Sequence, residues 1–272
     1  MQIFMANNYD PVRCYLMAYP CYFDVTDSSN PNKGTVDKSK VFAQYNSFVN
    51  YLTDQGVKVQ LLDIVNSTEQ VFARDIGFVV SNIFFVSKMQ APERAGEIQP
   101  LLRFIQKHGL KHHIMQNGIE GGDVIHDGGV LFIGVGGRTS EQAVAEVQSV
   151  LDRNQIKVQT VAIRFDVNKI HLDCAFNTLD QHSCVITDYV YDPETIQQHV
   201  KNCIKMNREI ADDLGTNFIY LGGGKVVTHS EGARQLLNAH GYQTQYMDYG
   251  EIVKARGSLG CCTLPVLRSV AP

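Results

Sequence analysis

The chain has 272 residues, 44% of them hydrophobic, and a net charge of −4. That is enough apolar material for a sizeable core, while the acidic balance and the lack of long Lys or Arg runs argue against nucleic-acid binding, which rests on phosphate neutralisation. The opening MQIFMANNYD lacks the basic-then-apolar order of a signal peptide, no stretch approaches the roughly 20 apolar residues of a membrane helix, and the seven cysteines form no CxxC pair, so a cytoplasmic chain with reduced thiols is expected.

The first periodic segment, 38–55, sets Val41, Tyr45, Phe48, Val49 and Leu52 at helical spacing. A Gly turn stops it, and QGVKVQLLD (55–63) then alternates, which predicts a strand with one buried face. The same helix-turn-strand order is predicted for 93–108 with HGLKHHIMQ (108–116) and for 140–153 with NQIKVQTVA (154–162). It recurs for 194–213 with LGTNFIYLG (214–222) and for 231–240 with HGYQTQYMD (240–248). Five similar α/β units suggest radial or stacked repetition, although a doubly wound α/β sheet also alternates strands and helices. Between the units lie FARDIG (72–77), IEGGDV (119–124), HLDCAF (171–176), LGGGK (221–225) and ARGSLGCCT (255–263). In a radial fold these segments converge on one axis, where loops on a rigid scaffold can share a site.

These segments hold the residues able to do chemistry. Asp75 follows Arg74, and a surface ion pair capping a strand would read the same. Glu120 and Asp123 flank two glycines that allow an unusual backbone path. Asp123 suits bonding to turn amides, and Glu120 suits orienting a histidine. His171 and Asp173, two apart, share a face if the segment is extended. Cys261 and Cys262 sit in a Gly-rich turn leading into a strand, so only one can point into a common site, and a small buried thiol is the ordinary alternative. Each motif alone has a structural explanation. With Asp123 given to the turn, they bring three carboxylates (Asp75, Glu120 and Asp173), a histidine and a cysteine to successive loops. Carboxylates crowded into one pocket repel unless a cation lies between them. A guanidinium is such a cation, with a planar fork that matches carboxylates. The set fits a thiol placed to attack a guanidinium carbon.

FARD, IEGGDV, GVGGRTSEQA (134–143), HLDCAF and RGSLGCCTLPVLR occur in that order over about residues 70–268. In this the chain resembles the guanidine-modifying enzymes of the pentein superfamily: arginine deiminases, dimethylarginine dimethylaminohydrolases and amidinotransferases. The resemblance implies a five-bladed, pseudo-symmetric α/β propeller forming one catalytic domain over residues 1–272. It assigns Cys261 as nucleophile, with Cys262 a bystander, His171 as acid and base, and Glu120 as the group orienting His171. It places Asp75 and Asp173 on the guanidinium, and Arg138 and Arg256 on a substrate α-carboxylate. Arg138 also precedes a helix-capping pattern, Thr139-Ser140-Glu141-Gln142. The implied reaction passes through a covalent thiouronium and releases citrulline with an amine or ammonia, with no metal or organic cofactor. The implied partner is a small guanidino compound, not nucleic acid or membrane, and a homodimer is among the assemblies allowed.

The length and the lack of a long helical insertion look like a dimethylarginine dimethylaminohydrolase, whereas Asp173 after His171 looks like an arginine deiminase or an amidinotransferase. Glu69 stands where arginine deiminases usually have an amide, Asp75 stands where arginine dihydrolases have Asn, and the HCW-type motif of amidinotransferases is absent. The alternatives are an amidinotransferase, a non-catalytic propeller that binds a partner, and a papain-like protease. The last would need an oxyanion hole more than a cation clamp. Two clasping carboxylates would favour unmethylated or monomethylated guanidines.

Overall fold

The computed structural model describes residues 1–268. In chain order, β1 (Val12–Met17) leads through α1 (Lys38–Asp54) to β2 (Lys58–Leu61), which pairs parallel to β1. β3 (Gly77–Val80) and β4 (Ile83–Val86) form an antiparallel hairpin; α2 (Ile98–Lys107) then brings β5 (His112–Ile114) parallel to β4. β6 (Val124–Asp127), β7 (Val130–Val135), α3 (Glu141–Arg153) and β8 (Gln159–Arg164) repeat the unit. So do β9 (Phe176–Asp180), β10 (Ser183–Thr187), the short α4 (Pro193–Gln197) and β11 (Asn202–Met206). After α5 (Arg208–Asp212) come β12 (Ile219–Gly222), β13 (Lys225–Thr228), α6 (Glu231–Ala239) and β14 (Gln243–Tyr246). Finally α7 (Gly250–Val253) leads to β15 (Leu264–Arg268), which pairs antiparallel to β1 and completes the first sheet. Five separate three-stranded sheets result, so the fold is the five-bladed α/β propeller and not a doubly wound sheet.

The helices form for reasons visible in their sequences. α1 buries Val41, Tyr45, Phe48 and Leu52 on one stripe, and Asp37 caps it by accepting from the amides of Ser39 and Lys40. The first strand of each unit is almost wholly buried, as in Gly77–Val80 and Val124–Asp127. The apolar side chains accordingly divide into five clusters, one of them gathering the α1 stripe with Tyr249 and Cys262.

The fourth unit corrects the expectation of one helix over 194–213. Helix is confined to Pro193–Gln197 and Arg208–Asp212, and the strand β11 lies between them. Ile196, Val200, Cys203 and Ile204 supply apolar positions at helical spacing, yet the edge of β10 offers an unfilled ladder and takes the later part as a strand. It follows that β12 in LGTNFIYLG belongs to the fifth blade. The loop equivalent to FARD and EGGD is then 213–218, while LGGGK is the β12–β13 hairpin turn, with Gly222, Gly223 and Gly224 all at positive φ. Among the described residues no helix is long and apolar enough to cross a membrane.

Candidate active site

The loop before the first strand of every blade reaches the centre, and neighbouring loops are stitched together. Arg74 N donates to Cys261 O at 2.9 Å and Gly121 N to Asp75 O at 3.0 Å. Leu172 N donates to Asp123 Oδ1 at 2.9 Å, Asn177 Nδ2 to Thr216 O at 3.0 Å, and Cys261 N to Asn217 Oδ1 at 3.1 Å. These bonds close a ring. Asp123 is the structural acid expected, since its other oxygen accepts from Thr139 Oγ1 at 2.6 Å. The EGGD glycines are required by close approach rather than by a left-handed backbone. A Cβ on Gly121 would lie 2.2 Å from Arg74 O, and one on Gly122 would lie 2.7 Å from the His171 ring.

A pocket of about 220 Å³ opens over this ring, lined by Cys261, His171, Asp75, Arg138, Arg256, Glu69, Arg94 and Cys174, with Asp24–Asp27 at its side. Cys261, His171 and Asp75 are 4%, 3% and 3% exposed, so they face the pocket from a largely dry wall. Glu120 lies fully buried behind His171, its Oε2 2.8 Å from His171 Nε2. Its Oε1 accepts from Gln90 N at 3.1 Å and Arg138 Nη1 at 3.3 Å, which fixes the carboxylate plane. The orienting geometry assigned to Glu120 is therefore present. Burial works to raise the Glu120 pKa, but His171 holds it down at about 2. For His171 burial works downward, and Asp75, Cys261 and Glu120 outweigh it, so its pKa rises well above the ordinary imidazole range. The Cys261 thiol falls to about 6, drawn down first by a hydrogen bond from Cys174 and then, against burial, by His171. Both shifts favour a thiolate beside an imidazolium.

One expectation about direction changes. Residues 172–174 form a 3-10 turn, not an extended segment, so His171 and Asp173 diverge. His171 faces the pocket, whereas Asp173 lines a separate central cavity of about 40 Å³ with Arg74, Tyr15 and Arg268. Burial and then the Cys261 thiolate push the Asp173 pKa well up. Cys261 and Cys262 lie in the turn before β15, as expected. They still point apart: Cys262 packs with Tyr249 and Tyr45, and burial pushes its thiol well up. Arg74 makes no surface pair with Asp75. It is buried and donates to Val124 O at 2.6 Å.

Arg94, Asn217 and Cys174 were not singled out in the sequence. Arg94 Nη1 donates to Asp75 Oδ2 at 2.7 Å, while its Nε and Nη2 grip Glu97 at 2.8–3.2 Å. Asp75 Oδ1, 3.5 Å from His171 Nδ1, has no hydrogen-bond partner among the described residues. One carboxylate thus holds an internal guanidinium with one oxygen and keeps the other for the pocket. The spacing Arg94–Glu97 was the available signal, but nothing in it announces a partner nineteen residues upstream. Arg256, exposed at the rim, has φ +64, a strained position for a non-glycine residue. Among the described residues, two groups have donor atoms close enough for a metal ion: Asp75 with Glu120 and His171, and Asp173 with Cys174 and Cys261. The first is already committed to ion pairs with Arg94 and within itself.

Residues 24–268 match the model of the family described as N,N dimethylarginine dimethylhydrolase, eukaryotic. The chain belongs to this family. Membership puts it in the pentein guanidine-modifying superfamily, among hydrolases of guanidino C–N bonds. The chain is 28% identical to the protein YkgA of Bacillus subtilis over 96% of this chain and 94% of that one. It is 27% identical to the N(G),N(G)-dimethylarginine dimethylaminohydrolase of Mycobacterium tuberculosis over 93% and 86% of the two chains. In fold it is similar to the N-terminal domain of ArgZ, a cyanobacterial arginine dihydrolase, with a TM-score of 0.86 at 21% identity, covering 97% of this chain and 100% of that one.

Proposed function

We propose that this family member hydrolyses the guanidino group of arginine or an Nω-methylated arginine to citrulline, releasing ammonia or an amine. The observation that carries the reading is the meeting in one pocket of Cys261, His171 and an Asp75 Oδ1 that has no hydrogen-bond partner among the described residues. A guanidinium N–H donated to Asp75 Oδ1 would satisfy that buried acceptor and set the central carbon beside the Cys261 sulfur. Thiolate attack forms the C–S bond, and the tetrahedral adduct collapses by breaking C–N as His171 protonates the departing amine. His171, now neutral, takes a proton from water. The water attacks the thiouronium, and breaking C–S returns the thiolate and the ureido product. Glu120 keeps the imidazole in plane through both steps. Arg138 and Arg256 also line the pocket, which supports assigning them to a substrate carboxylate. Asp173 lines the central cavity rather than this pocket, which favours giving the primary clasp to Asp75. The argument for excluding dimethylated substrates loses its second carboxylate accordingly.

The test is turnover of arginine, mono- and dimethylarginines and other guanidino acids by purified protein, scoring ureido product, ammonia, methylamine and dimethylamine. Ureido product with matching amine is expected from at least one arginine-type substrate. Transfer of the amidino group to an added amine in preference to water, or no ureido product from any guanidine, would overturn the reading.

A further inference from the structure

Cys184 and Cys203 take no part in the chemistry derived above, and they face each other across neighbouring strands of the fourth blade. β10 and β11 run parallel with Cys184 and Cys203 as register partners, and Cys184 Sγ donates to Cys203 Sγ at 3.3 Å. Both are free thiols. We propose that Cys184 and Cys203 form a thiol–disulfide exchange site, at which a low-molecular-weight disulfide is reduced and the two strands become covalently joined. The backbone already suits the bond. Register partners on adjacent strands stand about 4.8 Å apart, inside the roughly 4.4–6.8 Å that separates the Cα atoms of disulfides. The sulfurs need to close by little more than about 1 Å to reach a bond of ~2.05 Å.

Access divides the two roles. Cys184 is fully buried, whereas Cys203 is half-buried and lines a surface groove of about 540 Å³ with Ser183, Asn202, Lys205, His240 and Tyr242. Burial, and then the contact with Cys203, push the Cys184 thiol well up. Cys184 therefore keeps its proton and donates it, which leaves Cys203 as the entering nucleophile. The Cys203 sulfur attacks one sulfur of the incoming disulfide, whose S–S bond breaks, and the first small thiol departs with the Cys203 proton. The Cys184 sulfur then attacks Cys203 in the mixed disulfide. The Cys184–Cys203 bond forms, and the second small thiol leaves with the Cys184 proton. Two protein thiols are oxidised, and one disulfide is reduced to two thiols. The bond would clip the blade whose crossover helix is shortest, since α4 has 5 residues and the crossover helices of the other blades have 9 to 17.

The test is incubation of the full chain with excess glutathione disulfide, followed by intact mass and by peptide mapping after alkylation of the remaining thiols. The expected product is lighter by two hydrogens, with the peptides carrying Cys184 and Cys203 joined, and dithiothreitol reverses it. Cys174 and Cys261 are another close thiol pair and Cys21 is exposed, so mapping separates their products from this one. Cys184→Ser should stall at the mixed disulfide with glutathione held on Cys203, and Cys203→Ser should leave Cys184 reduced. Mapping of the unsubstituted chain decides the matter without relying on either variant to fold. Failure to join Cys184 to Cys203 there, or glutathione persisting on Cys203, would overturn the exchange site. So would modification of Cys184 in the Cys203→Ser chain, because entry would not then run through Cys203. None of these outcomes depends on guanidine hydrolysis.

Discussion

The Cys261 sulfur is drawn toward ionisation from two sides, by the Cys174 thiol and by His171, and pH can separate the two. The nucleophilic form is lost as pH falls through about 6, so the acid limb of kcat/KM should lie there. The His171 pKa is raised, so its proton persists through neutral pH and its loss sets the alkaline limb. Cys174→Ala removes a donor to the thiolate, so the acid limb should move to higher pH. The pH dependence of Cys261 alkylation in the free protein checks this directly, and an unmoved midpoint would count against the thiol as donor. Cys261→Ser should cost at least ~10³-fold in kcat, whereas Cys262→Ala, at a side chain turned into the aromatic cluster, should keep most activity. Asp75→Asn carries a double penalty. It blunts the acceptor facing the pocket, which raises KM, and it strips Arg94 of a buried partner. Breaking such a pair costs on the order of 3–5 kcal/mol, so the melting temperature should fall along with substrate affinity. A lowered affinity at unchanged stability would mean that Arg94 draws its compensation from Glu97 alone.

At the scale of single elements, the EGGD turn is where backbone and catalysis meet. Gly122→Ala would drive a methyl into the His171 ring at 2.7 Å, and the ring is pinned on its other side by Glu120. The expected outcome is loss of kcat with only a modest change in melting temperature. Gly121→Ala meets backbone oxygens at 2.2 and 2.4 Å and should instead destabilise the fold. Ser140 accepts from Ala143 N as the cap of α3, and Ser140→Ala should cost about 1 kcal/mol by denaturant melts. These elements also show what could be read from the sequence. α1, α2, α3 and α6 announced themselves because each buries a single stripe at a period near 3.6 residues. The segment 194–213 misled because β11 is a short strand whose pairing with β10 comes from tertiary context. That error displaced the fourth central loop onto LGGGK and concealed Asn217, whose side chain holds the Cys261 amide. The meeting of Cys261, His171 and Asp75 in one pocket was legible because their loops lie between successive units, while their roles came from the family resemblance. The divergence of Asp173 from His171 was not, because a three-residue turn leaves no periodic mark.

For the whole molecule, the order of strands decides where the chain tolerates interruption. Four blades are contiguous in sequence, but the first is built from β1, β2 and the distant β15. β15 carries Leu264 and Val266, both fully buried, and Arg268, whose Nη1 donates to Asp10 O at 2.6 Å and Tyr220 O at 2.8 Å. It thus joins the first and fifth blades and anchors the loop that bears Cys261. Burial of an aliphatic side chain contributes roughly 1.5–3 kcal/mol, so losing two of them with the β1 ladder removes much of the ~5–15 kcal/mol that typically separates folded from unfolded chains. The hairpin turn at Gly223 is the opposite case: it is exposed, and a Cβ there would meet nothing within 4 Å. Deleting 264–272 should abolish cooperative thermal unfolding seen by near-UV circular dichroism. A Gly/Ser insertion of about six residues after Gly223 should shift the melting temperature by only a few degrees, because lengthening a surface loop costs little closure entropy. If the truncated chain melted cooperatively near the parent temperature, ring closure by β15 would be dispensable and the blades would be stable without it.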